Sequence, residues 1–345
     1  VLQQFVFNEL NIPFEITVIL SVLLIWIYTF RGGIKTIVWT DTLQTSFMIV
    51  SVILSIYLIN QSLNWTFIDF INSDELKTYS NFLVTDSFLE KNYFLKSFIG
   101  GMFITICMTG LDQDMMQKNL TCKSLKEAQK NMIVFSIVLV VVTFIFLLLG
   151  ALLFIYSEKF GIMIPKLNGS TNTDLLFPEI ALNSNLGNLI GITFLLGLIA
   201  AAYSSADSAL TSLTTSYCVD IIDIKDKTQE YQTKIRKRAH LVMSSILVLV
   251  IIIFDNYLNR SVIDGLLVLA GYTYGPLLGL FSFGIFTNYK VNDQYVWIVT
   301  IFSVILVSFL ANLDPSYLGG YKIGYELLPI NGLITFLGLI LIRRK

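Results

Sequence analysis

Nine apolar segments, each long enough or nearly so to cross a bilayer, constrain the fold of this 345-residue chain most strongly. A helix needs about 20 apolar residues to span about 30 Å of hydrocarbon. Charged residues make up only 14 % of the sequence, too few to cover a soluble domain of this size. No ten-residue alternation typical of an outer-membrane barrel is found, so we predict an all-α integral membrane protein. The segments lie near residues 14–30, 37–60, 95–116, 132–156, 187–217, 238–257, 262–286, 294–312 and 328–342.

The distribution of basic residues predicts the orientation of these segments. Most of the 23 Lys and Arg residues fall in alternate connections that share a side with the basic tail at 343–345. Because cytoplasmic loops carry the excess of Lys and Arg, we predict a multi-pass protein of the cytoplasmic (inner) membrane. We expect its N-terminus to lie outside and its C-terminus in the cytoplasm. The basic run at 234–238 is interpreted as a topology determinant, and no nucleic-acid partner is expected.

The segment 187–217 carries an unusual polar face. Five side chains of this helix follow the spacing i, i+3, i+4, i+7 and i+11 and therefore share one side of it. They are Ser204, Asp207, Ser208, Thr211 and Thr215. Ionisable residues inside a membrane segment are functional candidates, and hard cations prefer oxygen ligands. The pattern predicts a cation site.

Several other chemistries lack the residues that they need. The three cysteines, Cys107, Cys122 and Cys218, have no metal-binding spacing, and His240 is the only histidine. Neither a zinc site nor a Ser-His-Asp hydrolase can be assembled. We therefore expect a protein that is not an enzyme and that uses no cofactor other than a coupling ion.

Four motifs, taken together, resemble the sodium/solute symporter family. They are Arg-Gly-Gly-Ile-Lys-Thr-Ile-Val-Trp-Thr-Asp-Thr-Leu-Gln at 31–44, Thr-Gly-Leu-Asp-Gln-Asp-Met-Met-Gln-Lys at 109–118 with the Ser-Leu-Lys-Glu-Ala-Gln-Lys run at 124–130, the Ser204-Ser205 pair, and Gly-Tyr-Thr-Tyr-Gly-Pro-Leu-Leu-Gly at 271–279. The resemblance covers essentially the whole chain and preserves the order of the motifs.

This resemblance implies the LeuT-like fold, in which two inverted five-helix repeats carry extra peripheral helices. One transmembrane domain would then occupy residues 1–345. Residues 1–60 would end the first repeat, 95–286 would form the second, and 294–345 would be peripheral. The first three core helices have no counterpart, so the resemblance implies an N-terminally truncated transporter. We also expect the chain to contain about nine transmembrane helices.

The family pattern Ala-x-x-Ser-Ser implies a sodium site on the helix at 187–217. The matching ligands are the carbonyl of Ala201 and the hydroxyls of Ser204 and Ser205. The alternative is that these small residues only let helices pack closely.

Some relatives have a second sodium site, which maps onto Asp41 and Ser208. Asp207 stands where those relatives have a serine, which is a departure from the pattern. Neither helix core contains a basic residue. Two buried carboxylates do not both ionise without compensation, so we expect either a bound cation or a bound proton. In the alternative interpretation Asp207 faces water in the cytoplasmic vestibule.

Substrate-facing positions are implied on the segment 95–116. The sugar-transporting relatives have an asparagine and an aromatic pair there, whereas this chain has Thr105, Met108 and Thr109. Because no flat ring is available to stack on a sugar, we expect a small anion, a carboxylate or an amino-acid-like solute. The three side chains could equally serve packing alone.

The fourth motif implies a gate. Gly275 and Pro276 would loosen the helix at 262–286, with Tyr272 or Tyr274 as a lid. The glycine could instead serve helix packing. The polar run at 112–114 is interpreted as helix-breaking or gate structure.

These features predict sodium-coupled symport of a small solute by alternating access. The expected partners are the solute, Na⁺ and the lipid bilayer, and the oligomeric state is left open. The alternatives are a membrane solute sensor of a signalling protein and a proton-coupled carrier.

Overall fold

The computed structural model describes residues 2–8, 10–29, 34–167, 170–184, 186–257 and 262–344. Positions 31–33 of the first motif and Lys345 of the basic tail lie outside these ranges. Thirteen α-helices lie in the described part of the chain. In order they are α1 (Phe14–Thr29), α2 (Ile34–Ser62), α3 (Phe67–Asn72), α4 (Asp74–Tyr79), α5 (Phe94–Gly110), α6 (Gln113–Leu120), α7 (Leu125–Phe160), α8 (Leu176–Asn183), α9 (Asn188–Ser216), α10 (Gln229–Tyr257), α11 (Val262–Phe286), α12 (Asp293–Ala311) and α13 (Leu327–Leu341).

Each of the nine predicted segments coincides with a helix, but not all of them have the length of a full span. Among the described residues, six helices are long and apolar enough to cross a membrane. The pair α5 and α6, bent by 53°, makes a seventh. The remaining two, α1 and α13, have 16 and 15 residues. Seven of the nine predicted segments are therefore full spans among the described residues, whereas α13 is shorter and α1 is described only as far as Thr29.

Two long helices begin well before their apolar segments. The helix α7 begins at Leu125, where the Ser124 hydroxyl accepts a hydrogen bond from the Glu127 N–H at 3.3 Å. The helix α10 begins at Gln229, nine residues before the predicted segment. Lysine, arginine and glutamine favour helix as well as leucine does, so the polar first turns extend a helix without raising its hydropathy.

The two long connections also contain structure that hydropathy does not predict. In the first, α3 begins with a capping box: the Thr66 N–H donates to Asp69 Oδ2 at 2.7 Å, and the Asp69 N–H donates to Thr66 Oγ1 at 3.2 Å. In the second, strand β1 (Lys166–Leu167) pairs antiparallel with β2 (Ser170–Thr171) before α8.

The described chain forms two compact units that alternate along the sequence. The first unit comprises Val1–Tyr79 and Gln117–Ser261, and the second comprises Ser80–Met116 and Val262–Lys345. In the first unit α2 packs along α9, and one end of α7 joins α2, α3 and α8 in an apolar core. The rest of α7 exposes large side chains such as Val140 and Leu147, as expected of a lipid-facing helix.

The second unit is built on close packing of α11 against α13. A Cβ atom added at Gly275 would lie 2.4 Å from Asn331 Cβ, and one at Gly279 would lie 2.6 Å from the Gly332 carbonyl oxygen. These glycines let the two backbones approach, which is the usual role of small residues between membrane helices. An apolar cluster that includes Ile104, Cys107 and Leu328 joins α5 to the pair.

Candidate functional site

The predicted cation residues of α2 and α9 meet where the two helices pack. The Ser204 hydroxyl of α9 donates a hydrogen bond to Asp41 Oδ1 of α2. Ser208 lies one helical turn further along α9 and is only 4 % exposed. Because positions i and i+4 share a helix face, both hydroxyls point to the side on which Asp41 lies.

Lys118 of α6 completes this cluster. Its ammonium nitrogen lies 3.1 Å from Asp41 Oδ2 and donates to Ser208 Oγ at 2.9 Å. The neighbouring Gln117 amide donates to the Ser212 carbonyl at 3.2 Å, which fixes α6 against α9. The side chains of Lys118 and Asp41 are 30 % and 22 % exposed, so the ion pair is only partly buried. Among the described residues, the structure thus gathers one carboxylate, two hydroxyls and one ammonium.

This arrangement corrects the expected electrostatic setting of Asp41. The sequence places no basic residue in the cores of the two helices, and Lys118 stands outside both, at the end of the 109–118 motif. The helix α6 brings Lys118 back onto α9, so the carboxylate has a positive partner. Hydropathy could not reveal this contact, because α6 is joined to α5 through a break at Leu111 and Asp112.

Asp207 has a different neighbour from Asp41. Its side chain is 0 % exposed, and Oδ1 accepts a hydrogen bond from the Thr29 hydroxyl of α1 at 3.4 Å. Among the described residues, no hydrogen bond reaches Oδ2. Adjacent helix positions differ by about 100° in direction, so Asp207 and Ser208 meet different helices. The alternative in which Asp207 faces water is wrong, and its place in the second site stays a prediction.

The first predicted sodium site is only partly enclosed. Ala201 is half-buried, whereas Ser205 is exposed. A helical carbonyl points towards the next turn, so the Ala201 oxygen and the hydroxyls of Ser204 and Ser205 can converge on one cation. Ser204 is also the residue that contacts Asp41, so the two predicted cation positions share one hydroxyl.

The predicted substrate residues lie on α5 in the second unit. Thr105 is exposed and donates to the Gly101 carbonyl of its own helix at 2.9 Å. Met108 packs against the apolar cluster of Ile104, Cys107 and Leu328, and Thr109 is half-buried. Contact of these three side chains with substrate stays a prediction.

The predicted gate residues lie on α11, around a proline that interrupts its hydrogen bonding. Pro276 has no N–H, so the carbonyl of Tyr272 loses its partner four residues on. Asn331 of α13 replaces it: its amide donates to the carbonyls of Tyr272 at 3.2 Å and Gly271 at 3.0 Å. Gly275 allows this close approach, which agrees with the packing interpretation, and its role in a gate stays a prediction.

Tyr274 joins the same helix to the polar run after α5. Its hydroxyl donates to Asp112 Oδ2 at 2.7 Å, and Asp112 Oδ1 accepts from the Asp114 N–H at 2.9 Å. Asp112 thus starts α6 after the break, as expected of helix-breaking structure. Movement of Tyr272, Tyr274 or Pro276 in a gate stays a prediction.

Sequence reasoning missed three polar residues that the structure brings into these clusters, namely Thr29, Lys118 and Asn331. The signal for Asn331 is present in the sequence, since an asparagine inside an apolar membrane segment needs a hydrogen-bond partner. The signals for Thr29 and Lys118 are weak, because both residues stand at helix ends where polar side chains are common.

Comparison with known proteins places the chain in a family. The model of the sodium:solute symporter family matches residues 3–295. The sodium/sialic acid symporter SiaT of Proteus mirabilis is 25 % identical over 337 residues, which are 94 % of this chain and 65 % of that protein. The sodium/sialic acid symporter NanT of Aliivibrio fischeri is 26 % identical over 94 % of this chain and 64 % of that protein. The mouse sodium-coupled monocarboxylate transporter 1 is 26 % identical over 75 % of this chain and 42 % of that protein.

The chain therefore spans about 65 % of the length of the sialic acid symporters that it matches. A solved structure of a Na⁺-coupled sialic acid symporter in a substrate-bound outward-open state is similar to this fold, with a TM-score of 0.76 and 21 % identity. The match covers 98 % of this chain and 68 % of that one. This likeness confirms the predicted LeuT-like fold, and the family match supplies the identification. The chain belongs to the sodium:solute symporter family.

Proposed function

We propose that the protein carries a small solute across the cytoplasmic membrane by sodium-coupled symport. The observation that carries this proposal is the oxygen-rich face of α9, where Ser204 contacts Asp41 and Ser208 lies one turn away. Ala201, Ser204 and Ser205 would bind the coupling sodium through one carbonyl and two hydroxyls. A cation is the species that such a face stabilises inside a membrane.

A second sodium would bind at Asp41 and Ser208, with Asp207 as a further candidate ligand. One sodium crossing 100 mV contributes about 2.3 kcal/mol to transport before any concentration term, and a second sodium would double this. The number of coupled ions therefore decides how steeply the solute is accumulated.

The solute is proposed to be a small anion or carboxylate. The absence of an aromatic side chain at Thr105, Met108 and Thr109 argues against a neutral sugar that stacks on a ring. Relatives named for sialic acid and for monocarboxylates support an acid. Sialic acid, which is both an acid and a sugar, is the first solute to test.

Alternating access would use the α11 hinge at Pro276, with Tyr272 or Tyr274 as a lid. In the proposed orientation the N-terminus lies outside and the C-terminus lies on the cytoplasmic side of the inner membrane. The distribution of Lys and Arg supports this orientation.

The test is uptake by the full-length protein in proteoliposomes, with an inward sodium gradient and with equal sodium on both sides. Labelled sialic acid, lactate, proline, glucose and iodide are the solutes. Ser205→Ala and Asp41→Asn are the site variants. Ser245→Ala is the matched control, because Ser245 is exposed on α10 and, among the described residues, its hydroxyl bonds only to the Leu241 carbonyl of its own helix at 3.0 Å.

We expect gradient-driven uptake of an acidic solute that Ser205→Ala abolishes and Ser245→Ala preserves. A smaller sodium Hill slope in Asp41→Asn would support the second ion. Uptake that is indifferent to sodium and to both site variants would contradict the proposal and favour a proton-coupled carrier. Solute binding without any uptake would favour a sensor.

A further inference from the structure

The position of Lys118 suggests a role that goes beyond holding α6 in place. Its ammonium nitrogen contacts Asp41 Oδ2 at 3.1 Å and Ser208 Oγ at 2.9 Å. These are two of the residues proposed to bind a second sodium. Ser204, which donates to the other oxygen of Asp41, closes the same cluster. The lysine thus places a positive charge where the second sodium would be.

We propose that Lys118 is a tethered cation that alternates with sodium at the Asp41 and Ser208 position. The inference rests on the proposed function and adds that Lys118 competes with the second sodium for its site. When the ion is absent, the ammonium neutralises Asp41. When sodium arrives, the ammonium withdraws to water and the oxygens of Asp41 and Ser208 accept the ion.

The chemistry of lysine suits this exchange. Its ammonium is a compact, strongly hydrated charge at the end of a flexible four-carbon stem, so it can leave one position without moving the helix. The side chain of Lys118 is 30 % exposed, so the surrounding side chains leave it room to move away from Asp41. The contact of Gln117 with the Ser212 carbonyl, at 3.2 Å, holds α6 independently of the ion pair.

The exchange also has a consequence for the transport cycle. A carrier that returns without its ions would hold the Asp41 carboxylate inside the membrane without a partner, which is costly. With Lys118 in place, the charge of this cluster is the same whether the second sodium is bound or absent. The lysine would therefore ease the return step while lowering the affinity for the second sodium.

The test is equilibrium binding of ²²Na⁺ to the purified full-length protein, without any solute. Lys118→Met removes the charge, and Lys118→Gln removes it while keeping a donor for Ser208. Lys118→Arg keeps the charge. Lys126→Met is the matched control, because Lys126 is an exposed lysine in the first turn of α7. Thermal unfolding of each variant shows whether it is folded.

We expect Lys118→Met and Lys118→Gln to lower the half-saturating sodium concentration of the second ion about fivefold, the competition that a partly exposed ion pair supplies. Lys118→Arg and Lys126→Met should bind as the wild type does. Adding Asp41→Asn to Lys118→Met should remove the gain. Sodium binding unchanged in both neutral variants, or a gain that persists with Asp41→Asn, would overturn the inference.

These outcomes are separable from failure of the proposed function. Wild-type protein that binds no ²²Na⁺, or binding that Ser205→Ala leaves unchanged, would contradict the sodium site itself. Wild-type binding that Ser205→Ala removes, together with no effect at Lys118, would contradict only the tethered cation.

Discussion

The hydrogen bonds between Asn331 and the proline break in α11 can be tested by a double-mutant cycle. Asn331 is 0 % exposed, and its amide donates to the carbonyls of Gly271 and Tyr272. Pro276 leaves the Tyr272 carbonyl without its helical partner, so Asn331 supplies the missing donor. Asn331→Leu keeps a similar shape and removes both hydrogen bonds.

The expected cost of Asn331→Leu is about 2 kcal/mol of unfolding free energy. Interhelical hydrogen bonds in membrane proteins contribute about 0.6 kcal/mol on average, with a maximum of about 1.7. A buried carbonyl left without a donor adds about 1 to 3 kcal/mol. In a Pro276→Ala background the backbone N–H at position 276 can reach Tyr272, so the same substitution should cost about 1 kcal/mol less.

The assay is unfolding of the purified protein in mixed micelles by titration with sodium dodecyl sulfate, followed by tryptophan fluorescence. The four proteins of the cycle are the wild type, the two single variants and the double variant. If the two effects add to within about 0.5 kcal/mol, the amide does not compensate for the proline and the reasoning is wrong.

Three further predictions concern single contacts. Gly275→Ala places a Cβ 2.4 Å from Asn331 Cβ and should cost about 2 kcal/mol or more of unfolding free energy. Gly284→Ala is the control: its Cβ meets nothing within 4 Å among the described residues beyond its own helix backbone, so it should not destabilise in the same titration. Lys96→Met should cost about 3 kcal/mol of unfolding free energy, because the Lys96 ammonium is buried over the Tyr321 ring at 3.8 Å and lies 3.6 Å from Glu326. Lys77→Met, which removes an exposed ion pair, is the control. Equal melting temperatures for the two variants would contradict the prediction. Burial, followed by the hydrogen bond to Glu326, raises the pKa of Tyr321 from 10.0 to about 12. The contribution of the neutral tyrosine to folding stability should therefore be complete below pH 10 and be lost as the pH rises through about 12. The tyrosinate absorbance that the wild type shows and Tyr321→Phe lacks should appear near pH 12 in a pH titration. If this difference in absorbance appears near pH 10, the contact is refuted.

Hydropathy located the helices well because the membrane requires long apolar runs. All nine predicted segments coincide with helices of the structure. It failed at helix ends: α7 and α10 begin with polar turns that hydropathy does not count, and α13 is shorter than a full span. The short helices α3 and α4 have six residues each, too few to stand out as an apolar run, although α3 begins with a capping box and buries Phe70.

Of the candidate cation site, the sequence predicts only the residues that share one face of α9. The spacing of Ser204 and Ser208 on α9 placed both hydroxyls on one side, and the family pattern added Asp41. The partners supplied by other helices were not predictable, since Lys118 and Thr29 reach α9 through tertiary packing. The different surroundings of Asp41 and Asp207 also depend on which helix meets each side of α9.

Equilibrium binding of sodium and solute to the same protein tests the central claim of sodium coupling most directly. Labelled sialic acid binding is measured over a range of sodium concentrations, and ²²Na⁺ binding over a range of sialic acid concentrations. Coupling is reciprocal, so the factor by which sodium raises solute affinity must equal the factor by which the solute raises sodium affinity. We predict equal factors of about 5 to 150, lost in Ser205→Ala. Solute affinity that is the same with and without sodium would contradict the account.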